Sequence, residues 1–273
     1  MSALIESAAV RHLYFSGEAG DIHALEFGQD IAGPPVLLLH GVTGSAWIWH
    51  DVARALGRRR RVIALDLRGH GQSARSASRQ YATADHARDL ARVADQLGDP
   101  VLDLAGQSWG ALIAMQYASS HAGKVGRLAV VDVEPSFEQA EDAVHPRPRH
   151  FNDIGEVMDW ERAANPSAPE PLLALWARQS VQHGAEGGWE RRHDPFFFER
   201  WPFRRDDLWQ ALTSLDMPAL LVHGKRSFVR EPVMRDMAAR MPDARLAILE
   251  DCGHLVPLEA PQALAALLEE HFA

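Results

Sequence analysis

Residues 102–114 read Leu-Asp-Leu-Ala-Gly-Gln-Ser-Trp-Gly-Ala-Leu-Ile-Ala, an apolar strand that runs straight into an apolar helix. A chain makes that change of direction only in a tight turn. Gly106 and Gly110, two positions either side of Ser108, let neighbouring backbone come close without a Cβ clash. Ser108 then stands at the tip of the turn. A short apolar strand feeding a helix buried on all sides is also the repeating unit of a parallel sheet covered on both faces.

The rest of the chain repeats that unit. Apolar runs at Pro35–His40, Val62–Leu67, Val101–Ala105, Arg127–Val133, Ala219–His223 and Arg245–Glu250 have strand length and β-branched content, and Arg11–Ser16 and Ile22–Phe27 form an opening hairpin around Gly17, Gly20 and Asp21. Helical spacing covers Ala46–Leu56, Thr83–Leu97, Trp109–Ser120, Pro232–Met241 and Pro261–Phe272. The expectation is an α/β fold: an eight-stranded, mainly parallel sheet with helices on both faces. From Glu134 to about Leu215 the rhythm lapses into Pro, Arg, His and aromatic residues with helical fragments such as Pro171–His183. That stretch predicts a helical cap inserted after the sixth strand, so that 1–133 and 216–273 make the core and 134–215 the cap. Trp160, Trp176, Trp189, Phe196, Phe197, Phe198, Trp201, Phe203 and Trp209 fall in the cap, too many large rings for a solvated loop. They pack on the main sheet or line an apolar pocket.

A net charge of -9 gives no broad attraction for nucleic acid or an anionic membrane, and the basic run Arg58–Arg61 reads as a solvated loop. The single cysteine, Cys252, cannot form an internal disulfide. Met1–Arg11 lacks the pattern of a secretory leader, and no run reaches the roughly 20 apolar residues of a membrane span. The expected location is cytoplasmic and the expected partner a small-molecule substrate, with the oligomeric state left open. Phosphate loops, dinucleotide fingerprints and paired metal-ligand spacings are absent from the sequence, so neither a cofactor nor a metal is expected.

A serine hydroxyl is a poor nucleophile at neutral pH and needs a base held in the right tautomer by a carboxylate. His254, in the loop after the last strand beside Gly253, is the predicted base. Asp132, where the sixth strand ends, is the preferred acid; Glu134, two residues on, and Glu231 are the alternatives. The predicted oxyanion donors are the amides of Trp109, at the start of the helix, and Val42, in the loop Leu39-His40-Gly41-Val42-Thr43-Gly44. His40 and His70 lie beside glycines in strand-end turns, where structural hydrogen bonding is favoured, and Asp66–Ser73 reads as a scaffold turn.

His40-Gly41, Asp66–Ser73, Gly106–Gly110 and Gly253-His254 occur in the order and at the separations found in the α/β-hydrolase superfamily, which the chain resembles over nearly its whole length. The resemblance implies the α/β-hydrolase fold and a Ser108–Asp132–His254 triad. Where many members carry the acid shortly after the seventh strand, this chain has Ser227 and Phe228, which is similar to a capped subset with the acid after the sixth. Members that open epoxides or displace halide use aspartate at the elbow, so Ser108 disfavours those reactions. The resemblance implies a serine hydrolase that cleaves a small to medium ester or lactone through an acyl-enzyme, most similar to capped ester and enol-lactone hydrolases of aromatic catabolism. Hydrolysis of a carbon–carbon bond in ring-cleavage diketones and ligand reception without catalysis are the alternatives. Arg147, Arg149, Arg204 and Arg205 in the cap are candidates to hold a substrate carboxylate, although surface solvation is favoured for them.

Overall fold

A computed structural model describes residues 10–98, 101–137 and 146–273. Of the Met1–Arg11 reading only Val10 and Arg11 fall among them, and residues 138–145 of the expected cap lie outside them. The chain opens with β1 (Arg11–Ser16), β2 (Asp21–Phe27) and β3 (Val36–Leu39), and continues through α1 (His50–Leu56), β4 (Val62–Leu65), α2 (Thr83–Leu97), β5 (Leu102–Gln107), α3 (Trp109–Ser120) and β6 (Val125–Val131). An intervening segment holds β7 (His150–Phe151), α4 (Ile154–Ala164), α5 (Glu170–Gln179), β8 (Val181–His183) and β9 (Trp189–Arg191). The chain then returns to the main sheet with β10 (Ala219–Gly224), α6 (Glu231–Arg240), β11 (Ala244–Leu249), α7 (Val256–Glu259) and α8 (Pro261–His271).

All eight expected strands are in one sheet, ordered β1-β2-β4-β3-β5-β6-β10-β11. β1 and β2 pair antiparallel, as do β2 and β4, and every other pairing is parallel. Side chains of a strand point alternately to opposite faces, and the core divides accordingly. Leu37, Leu39, Ile63, Leu65 and Leu104 join one apolar cluster with α2, α3 and α6. Val36, Leu38, Val62, Ala64 and Ala105 join the other with α1 and α8. A strand buried on both faces has no polar side to alternate with, which is why these runs are continuously apolar.

The intervening segment is less purely helical than its sequence suggests. It carries a small antiparallel sheet, β7-β9-β8, beside α4 and α5. The helical fragment expected over Pro171–His183 ends at Gln179, and Val181–His183 pairs instead with Trp189–Arg191. Here β-branched Val181, fully buried, finds its partner ten residues away in the chain, and tertiary pairing overrides the local helical spacing. At the other side of the segment Asp153 starts α4 by accepting the Gly155 and Glu156 amides at 2.7 and 3.1 Å.

Most of the aromatic residues of the segment pack on the main domain. Phe196, Phe197, Trp201 and Phe203 are buried in the same cluster as Trp109, whose ring lies 5.8 Å from Phe197 and 5.5 Å from Phe203. Trp176 packs in the opposite cluster. Trp109 Nε1 donates to Thr83 Oγ1 at 2.9 Å, and Thr83 Oγ1 donates in turn to the Asp206 carboxylate. This relay ties α3 and α2 to the segment that covers them.

Burial pushes the Asp206 carboxyl up to about 6, against the Thr83 hydrogen bond, which lowers it. A carboxyl raised in the folded state binds more protons there than in the unfolded chain, so the stability it contributes is present at low pH and lost as pH rises through about 6. Asp206→Asn keeps an acceptor for Thr83 and removes the charge. Its stability relative to wild type is expected to improve by about 1 kcal/mol between about pH 4.5 and about pH 8, discounted for partial exposure. Urea unfolding at both pH values checks this, and a difference that stays constant contradicts it.

Candidate active site

Ser108 adopts φ 53° and ψ -124°, a conformation that costs an L-residue roughly 1–3 kcal/mol. The surroundings enforce it. A methyl group at Gly106 would lie 2.3 Å from the Gly110 carbonyl oxygen, and one at Gly110 would lie 2.3 Å from the Leu39 carbonyl oxygen. Neither position admits a side chain, so the end of β5, the start of α3 and the loop after β3 meet backbone to backbone. The Ser108 amide donates to the Val131 carbonyl at 2.8 Å, which pins the turn to the end of β6.

Asp132 follows immediately, fully buried and also at positive φ (52°). Its amide donates to Val222 of β10 at 2.8 Å. Its carboxylate accepts four hydrogen bonds: Oδ1 from His223 Nδ1 at 2.9 Å and the Gly224 amide at 3.0 Å, and Oδ2 from Ser227 Oγ and from His254 Nδ1, the last at 2.7 Å. Four donors fill the roughly four acceptor positions of a carboxylate. With Nδ1 donating to Asp132, His254 presents a bare Nε2, the state a general base requires. The imidazole side chain is 20% exposed, and the ring of Phe228, 69% exposed, lies 4.3 Å from it. On the other side Gln107, the residue preceding Ser108, donates through Nε2 to the His254 carbonyl at 3.0 Å and sits 3.4 Å from His254 Nε2.

The loop after β3 closes over this centre. A Cβ at Gly41 would stand 3.0 Å from the Ser108 Cβ. Among the described residues the Val42 and Trp109 amides have no hydrogen-bond acceptor. Thr43 takes φ 62°, and its amide donates to His70 Nε2 at 3.1 Å. His40 Nε2 accepts the Leu67 amide at 3.0 Å. Burial holds both imidazoles below their usual range and therefore neutral, so both serve as backbone clamps. The Asp66 carboxylate accepts the Ala46 and Gln72 amides at 2.7 and 2.9 Å, and any side chain at Gly71 would collide with it.

The other acids are engaged elsewhere. Glu134 faces Arg230, with 2.7 Å between carboxylate and guanidinium, and Glu231 faces Lys225 and Arg235, whose hydrogen bonds bring it down to about 2. Burial pushes the Cys252 thiol up to about 12, so it is no competing nucleophile. Arg149 and Arg205 are exposed, Arg204 lies over the rings of Phe137 and Trp201, and Arg147 reaches the loop after β3 by donating to Thr43 Oγ1. Sequence reasoning missed Gln107, His223 and Ser227 as supports of the centre. The available signal was the polar ending of an apolar strand, His223-Gly224, and a hydroxyl where a carboxylate is commoner. No group of three or more His, Cys, Asp or Glu side chains among the described residues is arranged to hold a metal ion.

The arrangement offers a hydroxyl at a strained turn, an imidazole anchored by a carboxylate and two free amides, the set that acyl transfer requires. Asp132→Asn is expected to slow fluorophosphonate labelling of Ser108 by about 10³–10⁴-fold, as loss of the orienting acid does in serine hydrolases generally. Glu134→Gln and Glu231→Gln are expected to label within about threefold of wild type. Mass spectrometry of the labelled protein over time decides between the three acids.

Comparison with known proteins agrees with this geometry. A family model described as the alpha/beta hydrolase fold matches residues 34–186. Esterase Rv0045c of Mycobacterium tuberculosis is 31% identical over 263 residues, which cover 92% of this chain and 86% of that protein. The pimeloyl-(acyl-carrier protein) methyl ester esterase of Aeromonas hydrophila is 27% identical over 266 residues, 90% of this chain and 96% of that protein. Among solved structures, the thioesterase domain from the curacin biosynthetic pathway superposes with a TM-score of 0.83 at 26% identity, covering 95% of this chain and 99% of that one. The chain belongs to the α/β-hydrolase fold family.

Proposed function

We propose that the protein is a serine hydrolase that cleaves a small to medium carboxylic ester or lactone through an acyl-enzyme. The observation that carries this reading is the 2.7 Å contact between His254 Nδ1 and the buried Asp132 carboxylate, beside a serine held at φ 53°. The relatives named as esterases support the same chemistry.

In this reading Ser108 Oγ attacks the substrate carbonyl carbon while His254 Nε2 takes its proton. Asp132 holds the imidazole in its tautomer and stabilises the imidazolium that forms. The Val42 and Trp109 amides receive the oxyanion of the tetrahedral intermediate, and α3 adds the positive end of its dipole. His254 then gives its proton to the leaving oxygen. Water, deprotonated by His254, attacks the acyl-Ser108 carbonyl, and as the intermediate collapses His254 returns the proton to Ser108 Oγ and the acid is released.

Residues 1–133 and 216–273 would form the catalytic core and 134–215 the cap, a division supported by the separate three-stranded sheet within the cap. A cytoplasmic setting fits the lone Cys252. No helix among the described residues is long and apolar enough to cross a membrane. The net charge of -9 argues against nucleic acid as a partner.

Ser108→Ala is expected to reduce hydrolysis of p-nitrophenyl acetate and butyrate by about 10⁴-fold or more while leaving the melting temperature near that of wild type. Unchanged turnover by that variant, or labelling of wild type by a fluorophosphonate with no turnover of esters or lactones, overturns the reading.

A further inference from the structure

Among the described residues, the wall of the cap nearest the loop after β3 has more cationic donors than it has anions. Arg191, only 4% exposed, is matched by one carboxylate, Glu161, which accepts its Nη1. Glu161 is already committed, since Oε2 accepts Trp176 Nε1 at 2.9 Å and Asn165 Nδ2 at 3.3 Å. Arg147 has no carboxylate partner among the described residues. Its Nη1 donates to Thr43 Oγ1, and its guanidinium lies 5.8 Å from the centre of the Trp160 ring, which Arg191 also covers at 4.5 Å. Among the described residues two cations thus share one anion, and one guanidinium has no carboxylate beside it.

Hydrogen bonding shows the same deficit. Arg147 Nε, Arg191 Nε, Arg191 Nη2 and His193 Nε2 are all buried without a partner among the described residues. Buried guanidinium donors left unpaired are costly. Burial, reinforced by Arg191, lowers the proton affinity of Arg147 to about 10, and burial together with the cations Arg147, Arg191 and Arg75 holds His193 at about 3. His193 therefore stays neutral and supplies no counter-charge.

The position of this deficit relative to Ser108 identifies what balances it. Thr43 follows Val42, and its hydroxyl donates to the Val42 carbonyl at 2.6 Å. Arg147 is therefore one side chain away from an amide that receives the acyl oxygen, whereas the leaving group must depart toward His254 Nε2. We propose that Arg147, backed by Arg191, is the binding site for a second carboxylate on the acyl portion of the substrate. The preferred substrates are then half-esters of short dicarboxylic acids. A carboxylate there forms a charge-assisted, bidentate pair with a guanidinium already held in place by an aromatic face. This inference rests on the acyl-hydrolase reading above.

The test compares mono-(p-nitrophenyl) glutarate with p-nitrophenyl butyrate, similar acyl chains with and without the terminal carboxylate. Wild type is expected to favour the glutarate half-ester in kcat/KM. That preference is expected to fall by about 30-fold or more in Arg147→Met and Arg147→Gln, chiefly through KM, with part of it kept in Arg147→Lys. A ratio that stays within threefold of wild type overturns the proposal. Calorimetric titration of the wild-type protein and the Arg147 variants with glutarate separates the two readings. Binding by wild type that Arg147→Met loses supports the subsite even if neither ester is hydrolysed, in which case it is the hydrolase reading that fails. Absence of glutarate binding to wild type overturns the subsite while esterase activity on the butyrate stands.

Discussion

One buried carboxylate organises the catalytic end of this molecule. Asp132 leaves β6 with its backbone in the left-handed region, and its side chain gathers the end of β10 through His223 and Gly224, the following loop through Ser227 and the loop after β11 through His254. A buried charge is tolerable only when every acceptor position is filled. The requirement to satisfy Asp132 therefore sets where three separate chain segments end. His254 is held as one member of that set, and a neutral imidazole that donates Nδ1–H to Asp132 is left with no proton on Nε2.

The strain of the site is confined to three residues, Thr43, Ser108 and Asp132, each at positive φ and each tied down by a hydrogen bond from its own amide to a different part of the fold. His70 holds the first, Val131 accepts from the second and Val222 from the third. The sheet supplies the rigidity that makes such backbone states persist. The segment between β6 and β10 has two physical characters. Its aromatic side, with Phe197 and Phe203 against Trp109, is an extension of the core, while on its cationic side Arg147 meets Thr43 in the loop after β3 and Arg191 pairs with Glu161. The first holds the segment against the elbow, and the second carries the carboxylate subsite proposed above.

Much of this was legible from local pattern. The eight strands, the elbow glycines and the clamping roles of His40 and His70 could be read because each depends on residues close in sequence: a period of two along a strand, a missing Cβ in a turn, a histidine beside a glycine. The switch from helix to strand at Val181 was not legible, because Arg191 on the partner strand lies ten residues away and carries no local mark. The same holds for Ser227, whose hydroxyl matters only because Asp132, 95 residues earlier, needs a donor.

The amino-acid sequence by itself determined the architecture, the turn that exposes Ser108 and the short list of acids and bases, since burial periodicity and steric permission are properties of neighbouring residues. Tertiary structure decided which acid meets His254 and which arginine meets the loop after β3. Asp132 and Glu134 differ by two positions in the chain, yet one is enclosed by four donors and the other is turned out toward Arg230. Arg147, one of four cap arginines under consideration, is set apart by its contact with Thr43. Charge pairing and desolvation depend on distances in space between residues about a hundred positions apart, and linear spacing does not encode them.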